Sequence, residues 1–398
     1  MRSTVRTKAP VLAVVLALLL MAAPRGAEAQ DVTLDASAVE IDLSGRVQVQ
    51  AAASSCSGFP FEADSPCTEQ APSVDVFTRR VRLSAFVTIN DFISAKVEPD
   101  YGGLDGVEMR DVYGRLTFGP GAKLQIGQFK RPFDGFNLVS SSQLLTIERD
   151  VDIPGVPGLR AGSLSEFVAA FDLGSYDVGA MLFGDVADGR LTYHAGVFNG
   201  EPVEENDDTN GDKQLVGRLT YRLAAGELPV EVSAAAAWTD RAVQDPDDQP
   251  GSRLGADYYA DYQLWARLGD YEPGPHVQAG FVFGDNPTQA SDGGGVPSTG
   301  PLPESREFAS MRAWQVIGAW RFAVPGTEHL EAVEPSFRVT RAEPNTDVAD
   351  DENWAFTPGV NIYFHGRNKL QLGWDFATFA GDRFDTVNSF KSQFQVYF

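Results

Sequence analysis

Polar and apolar side chains alternate with a period of two in segment after segment of this 398-residue chain, and that pattern limits the fold more than any other feature. A period of two marks a strand with one wet face and one dry face. Such segments fall near 41–51, 77–89, 93–101, 108–118, 123–131, 174–184, 190–198 and 214–223. They continue near 229–239, 258–267, 276–284, 313–323, 331–341, 355–364, 369–379 and 389–398. Sixteen is an even count, and most segments are close to the nine to eleven residues that a tilted strand needs to cross a bilayer. The connections alternate as well. Links at 90–92, 119–122, 185–189, 224–228 and 365–368 are short. Those at 52–76, 134–173, 199–213, 240–257, 285–312 and 342–354 are long and acidic, and contain Pro and, in all but the last, Gly. Short turns on one side and long loops on the other is how bacterial barrels are organised, whereas a soluble β-sandwich or β-helix would not require it. The expected fold is all-β: a transmembrane antiparallel β-barrel of about 16 strands over residues 41–398.

The first residues stand outside this pattern. Arg2, Arg6 and Lys8 precede an apolar run from Val11 to Met21, and Ala27-Glu28-Ala29 gives the small-x-small pattern of a signal-peptidase site. The run is too short to span a bilayer, so residues 1–29 are expected to be a signal peptide and 30–40 a polar periplasmic segment. After it, no stretch of about eighteen apolar residues appears, which excludes a helical membrane protein. Residues 389–398, S-F-K-S-Q-F-Q-V-Y-F, alternate and finish on Phe398, which resembles the signal read by the outer-membrane barrel-assembly machinery. Trp238, Trp314, Trp320, Trp354, Tyr258 and Tyr262 lie near strand ends or on the apolar phase, where interfacial girdles sit.

Charge narrows the partners. The formal charge is −23, and the signal residues (Arg2, Arg6, Lys8 and Arg25 against Glu28) carry a net +3, leaving about −26. Such acidity argues against nucleic acid and against an anionic membrane surface. Cys56 and Cys67 are the only cysteines, and in an oxidising compartment they are expected to close a local disulfide. No His lies near them to complete a metal site. His194, His276, His329 and His365 are not spaced as a metal pair. The stretch Asp208 to Asp212 places oxygens at alternate positions like part of a calcium loop, without the terminal Glu. Neither a cofactor nor a metal is expected. No nucleophile is marked by a partner base, so an enzyme is not expected either.

Phase also sorts the charges. Arg or Lys facing lipid at mid-membrane costs roughly 2–4 kcal/mol. In 77–89 the apolar phase is Val81, Leu83, Ala85 and Val87, which turns Arg80 and Arg82 into the lumen. The same test puts Arg46, Lys96, Arg115, Arg218, Arg222, Arg321, Arg338 and Lys391 inside. It also puts Asp42, Glu98, Asp100, Asp111, Asp177, Glu231, Asp261, Glu334 and Asp375 there, so the wall is mixed. Most of the acidic excess sits in the outer loops, beyond the Debye length from a permeating ion. Two lumen arginines about 5 Å from an anion contribute roughly 1.7 kcal/mol even at ε ≈ 80, so local charge outweighs net charge.

The run from Lys123 to Phe133, K-L-Q-I-G-Q-F-K-R-P-F, resembles a motif of the phosphate-selective porin O and P family. So do F-T-R-R-V-R-L at 77–83, K-V-E-P-D-Y at 96–101 and D-V-Y-G-R at 111–115, in the family's order. Ser140 to Ser142, Glu148-Arg149 and Y-H-A-G-V-F-N-G at 193–200 look like later landmarks. The resemblance implies a sixteen-stranded outer-membrane porin, usually a homotrimer, with an inward-folded third loop; here 134–173 would be that loop. It also implies phosphate passage along a ladder of arginines with an eyelet lysine, for which Arg80, Arg82, Lys130, Arg131, Arg149 and Arg160 are available. With Arg115, Arg218 and Arg222 from the lumen phase, these are the candidate anion-contacting residues. Solutes would be small anionic or neutral molecules, and the surroundings outer-membrane lipids and lipopolysaccharide. Two alternatives stay open: arginines tied into wall salt bridges, and a barrel whose acidic loops bind ions or partners while conduction is incidental.

Overall fold

The structure, a computed structural model, describes residues 39–57, 73–102, 106–151, 164–171, 173–200, 213–244, 253–290, 307–380 and 386–398. The leader 1–29, most of 30–40, Cys67, Arg160, Asp208 to Asp212 and the side chain of Cys56 lie outside the described residues, and with them the disulfide and calcium readings.

Among the described residues the chain forms sixteen strands: β1 (Glu40–Ser57), β2 (Ser73–Thr88), β3 (Ile93–Asp100), β4 (Glu108–Gly119), β5 (Ala122–Lys130), β6 (Tyr176–Val186), β7 (Leu191–Phe198), β8 (Lys213–Ala225), β9 (Leu228–Gln244), β10 (Arg253–Leu268), β11 (Gly274–Ala290), β12 (Phe308–Ala323), β13 (Ala332–Glu343), β14 (Asn353–His365), β15 (Asn368–Phe379) and β16 (Thr386–Tyr397). Each pairs antiparallel with its sequence neighbours, and β1 pairs with β16 to close the barrel. Every alternating segment is a strand. Several run longer than expected: β1 has 18 residues, and β9 and β11 have 17. The extra length is at the long-loop end, where water replaces lipid and alternation ceases to be enforced.

The apolar side of each strand faces out. On β8, Leu215, Leu219, Tyr221 and Leu223 are 43–54% exposed, while Gln214, Arg218 and Thr220 on the other phase are buried. This inversion of a soluble protein is what a hydrocarbon solvent selects. Short turns close one end. Gly226 (φ 65°) and Gly366 (φ 58°) take left-handed conformations in two-residue links, where a Cβ would be strained. Closure at β1–β16 is reinforced on the inner face by amide pairs in register: Gln48 with Gln395 at 2.6 Å and Gln50 with Gln393 at 2.8 Å.

The link between β5 and β6 folds into the barrel and carries two short helices, α1 (Gly135–Leu138) and α2 (Leu164–Ala170), that the sequence pattern does not announce. Asp134 caps α1, accepting from Phe136 N (3.1 Å) and Asn137 N (3.2 Å). Its carboxylate also takes Gln263 Nε2 of β10 at 2.8 Å, and Gln263 Oε1 accepts from Gly135 N at 2.7 Å. Phe136 seats against Trp265 and Gly280, where a Cβ on Gly280 would come within 2.6 Å of the ring. Phe133, Leu164, Phe167 and Val168 are fully buried and join Val282, Met311, Ala313 and Ile317 in one apolar cluster. The lumen is therefore narrower than sixteen strands alone would leave. The infolded segment packs on its β8–β13 side, and open space remains along the β1–β7 wall and, across the segment, toward the short turns.

Candidate pore constriction

The infolded segment is held across the barrel mainly by its own carbonyls. Arg218 of β8 donates to Phe133 O at 2.8 Å. Gln48 of β1 and Gln395 of β16 donate to Ser141 O (3.2 Å) and Ser142 O (3.0 Å). Lys369 and Asn361 reach Leu144 O (2.7 Å) and Leu145 O (2.9 Å). Arg338 of β13 donates to three successive carbonyls, those of Glu148, Arg149 and Asp150, at 2.9–3.1 Å. Wall side chains thus satisfy backbone groups that a buried irregular segment would otherwise leave unpaired.

Glu148 fastens the far end. Its carboxylate meets Arg80 Nη2 at 2.6 Å, Arg79 Nε at 2.8 Å and Gln50 Nε2 at 2.6 Å. Two adjacent arginines reach one carboxylate because β2 is bulged there: Gln48 pairs with Arg80 and Val49 with Thr78, leaving Arg79 with no opposite residue. Burial by itself would raise the Glu148 carboxyl, but Arg80 and then Arg79 hold it well below the usual carboxylate range. Burial, with Arg80 close by, lowers Arg149 to about 10, so it remains a cation at neutral pH.

Between the segment and the β1–β6 wall lies a cavity of about 350 Å³. Arg46, Arg82, Lys96, Arg115, Lys130 and Arg149 line it, with Glu98, Asp111, Tyr113 and Tyr176. Three of the cations are balanced. Arg46 and Lys96 each pair with Glu98 at 3.1 Å, Lys96 pairs with Asp111 at 2.5 Å, and Arg82 pairs with Asp100 at 2.5 Å. The other three have neutral partners. Arg115 donates to Gln125 Oε1 (2.7 Å) and Tyr113 Oη (3.1 Å) beneath the rings of Tyr113 and Phe183. Lys130 donates to Asn137 O and stands 5.4 Å from the Tyr176 ring centroid. Arg149 donates to Phe136 O (3.1 Å) and Val139 O. Among the described residues no carboxylate is paired with any of the three.

The sequence candidates therefore divide. Arg82, Arg115, Lys130 and Arg149 meet at the cavity, joined by Arg46 and Lys96 from the lumen phase. Arg80 and Arg218 position the infolded segment instead. Arg131, fully buried, bridges Gln214 (3.1 Å), Ser175 (2.6 Å) and Asp177 (3.6 Å). Arg222 sits at the short-turn mouth between Asp185 (3.6 Å) and Glu231 (3.9 Å). Pattern reading missed Asp134 and Gln263, which fasten α1 to β10, and Arg79, which reaches Glu148. A second cavity of about 470 Å³ lies across the segment, toward the short turns, with a mixed lining of Asp270, Glu272, Glu331, Arg321 and Arg367.

A closed antiparallel barrel, apolar outside and polar within, with the link between β5 and β6 folded inward, is the architecture of a bacterial outer-membrane porin, a channel for passive diffusion. Residues 62–255 match the sequence model of the phosphate-selective porin O and P family. OprB of Pseudomonas putida superposes with a TM-score of 0.62 at 9% identity, over 90% of this chain and 94% of that one. OmpT of Vibrio cholerae, in its trimer form, gives 0.53 at 14% identity, over 91% of this chain and all of that one. The outer membrane channel DcaP of Acinetobacter baumannii gives 0.52 at 12% identity, over 90% and 98%. At these identities the likenesses speak for the fold. No curated protein matches the chain in sequence.

Proposed function

We propose that this porin favours small anions, phosphate among them, at the cavity between the infolded segment and the β1–β6 wall. The observation that carries the reading is the pair Arg115 and Arg149, two cations that face one cavity beside Lys130 and that, among the described residues, have no paired carboxylate. Each such cation within about 5 Å of a permeating anion contributes about 0.8 kcal/mol even at the dielectric of water. The acidic outer loops act beyond the screening length and set local ion concentration weakly. Reversal potential in a KCl gradient tests this. The wild type is expected to be anion-selective, and Arg115→Gln, which removes one cation without touching a loop carbonyl, to lower the anion/cation permeability ratio about fourfold. A cation-selective wild type refutes the reading. Residues 1–29 serve, on the same proposal, as the export signal.

We infer a homotrimer joined through the outward face of β1–β4. The middle of that face presents Val47, Val49, Ala51, Val81, Leu83, Ala85, Val97, Val112, Gly114 and Leu116, all aliphatic or small, and the exposed aromatics Phe92 and Phe118 stand at its short-turn end. Most of the aromatic belt lies elsewhere: Trp238, Tyr258, Tyr262, Phe281, Phe283, Trp320, Phe337, Trp374 and Phe394 are exposed on β9–β16. Interfacial aromatics serve a surface that meets lipid headgroups, and a buried flat face has no use for them. A Cβ at Gly114 or Gly318 meets open space, so Trp fits the monomer at either position. Gly114→Trp is expected to run as a monomer on semi-native gels, while Gly318→Trp on the aromatic side keeps the wild-type oligomer. Equal behaviour of the two variants refutes the interface.

A further inference from the structure

On the outward face of β10–β12, Tyr262, Phe281 and Phe283 form a nearly flat aromatic floor. The Tyr262 and Phe283 rings lie 5.3 Å apart at 23°, and those of Phe281 and Phe283 lie 5.5 Å apart at 28°. The floor belongs to a groove of about 470 Å³ that ends at Arg312 and Thr346. The loop carrying Thr346 is pinned over the wall by Thr346 N, which donates to Ser310 O at 2.8 Å. The long loops lie beyond this end, so the groove opens toward the outer leaflet.

Arg312 sets the chemistry. Its side chain is half exposed, and its Nε is fixed by Glu343 Oε2 at 2.5 Å. The described residues supply no partner to its two terminal nitrogens. Glu343 is shared with Arg341 at 3.4 Å, and Asp285 on the same rim accepts from Ala260 N at 3.0 Å, so neither carboxylate caps those nitrogens. An oriented guanidinium with a free fork fits a phosphate oxygen pair. An apolar aromatic floor directed into hydrocarbon fits an acyl chain.

We propose that this groove binds the phosphorylated glycolipid of the outer leaflet, acyl chain on the Tyr262–Phe283 floor and phosphate on Arg312. The inference rests on the outer-membrane placement and is independent of the ion preference, because no residue of the constriction takes part.

Native mass spectrometry of the purified porin in magnesium-containing buffer tests it, with diphosphorylated lipid A, dephosphorylated lipid A and phosphatidylglycerol as probes. The wild type is expected to favour diphosphorylated over dephosphorylated lipid A by about tenfold or more, as a charge-assisted contact allows. Arg312→Gln should abolish that preference, Phe283→Ala should weaken both lipid A forms, and Leu219→Ala, elsewhere on the lipid face, should match the wild type. Heat-modifiable migration and unchanged conductance establish that each variant is folded. Equal binding of the two lipid A forms by the wild type, or a preference retained in Arg312→Gln, overturns the proposal. Phosphatidylglycerol binding as tight as lipid A overturns the glycolipid assignment. Barrel-to-barrel cross-linking of Phe283→Cys would put a second copy on this face and overturn it too.

Discussion

Glu148→Gln is expected to turn a steady open level into a flickering one with a higher mean conductance. The carboxylate is buried against Arg80 and Arg79, and removing its charge takes from both arginines the anion that they share. Breaking a buried pair from one side costs roughly 3–5 kcal/mol. That cost falls on the 140–150 limb of the infolded segment, since the strand ladder of β2 contains no Glu148 contact. Single-channel recording reads the effect directly; an unchanged current trace would show that Glu148 does not fasten the limb. The pH dependence has a definite sign. The folded carboxyl titrates below its ordinary value of 4.5, so the pairing contributes in full above that pH and is lost only as the pH falls through the depressed folded value. Wild-type open levels should therefore be alike at about pH 7 and about pH 5, while the variant flickers at both.

Arg338→Met is the second large effect. Arg338 is 1% exposed and supplies donors to the carbonyls of Glu148, Arg149 and Asp150. Each buried carbonyl left without a donor costs roughly 1–3 kcal/mol. Asp375 would not be orphaned, because Lys391 Nζ remains 2.9 Å away. The wall should stand while the limb loosens. Hydrogen exchange of amides 148–151 is expected to speed up by roughly 100-fold, with the strand amides of β13 little changed. Because both substitutions release the same short stretch, the double variant should exchange little faster than the worse single one, a coupling that distant sites would lack. Full additivity would mean that the two anchors hold different things.

Why the barrel was legible and the path inside it was not follows from which solvent each residue meets. Lipid punishes every misplaced charge, so Val81, Leu83, Ala85 and Val87 announce their phase, and Arg80 and Arg82 announce theirs by exclusion. Above the membrane that penalty disappears, and the outer thirds of β9 and β11 lose their signature. The bulge that brings Arg79 inward is a single extra residue, and period counting on one strand cannot see it. The infolded segment has no period at all. Its apolar content (Phe133, Phe136, Leu164, Phe167, Val168) was visible in the sequence, yet only the partners on β8–β13 give it a destination. The same holds for the cations. Phase tells that Arg115 and Arg218 both point inward, but whether one meets an open cavity and the other a loop carbonyl depends on where a distant segment lies.

The amide pairs between β1 and β16 have a consequence for how the ring is fastened. Everywhere else adjacent staves follow one another in the chain; here they come from opposite ends of it, and this join is the natural place for the cylinder to spring apart. Gln48 and Gln395 grip one another and, with their remaining reach, grip Ser141 and Ser142. The segment that narrows the passage is thus also the clasp over the seam, so a lineage that widened the passage by shortening it would have to rivet that join some other way.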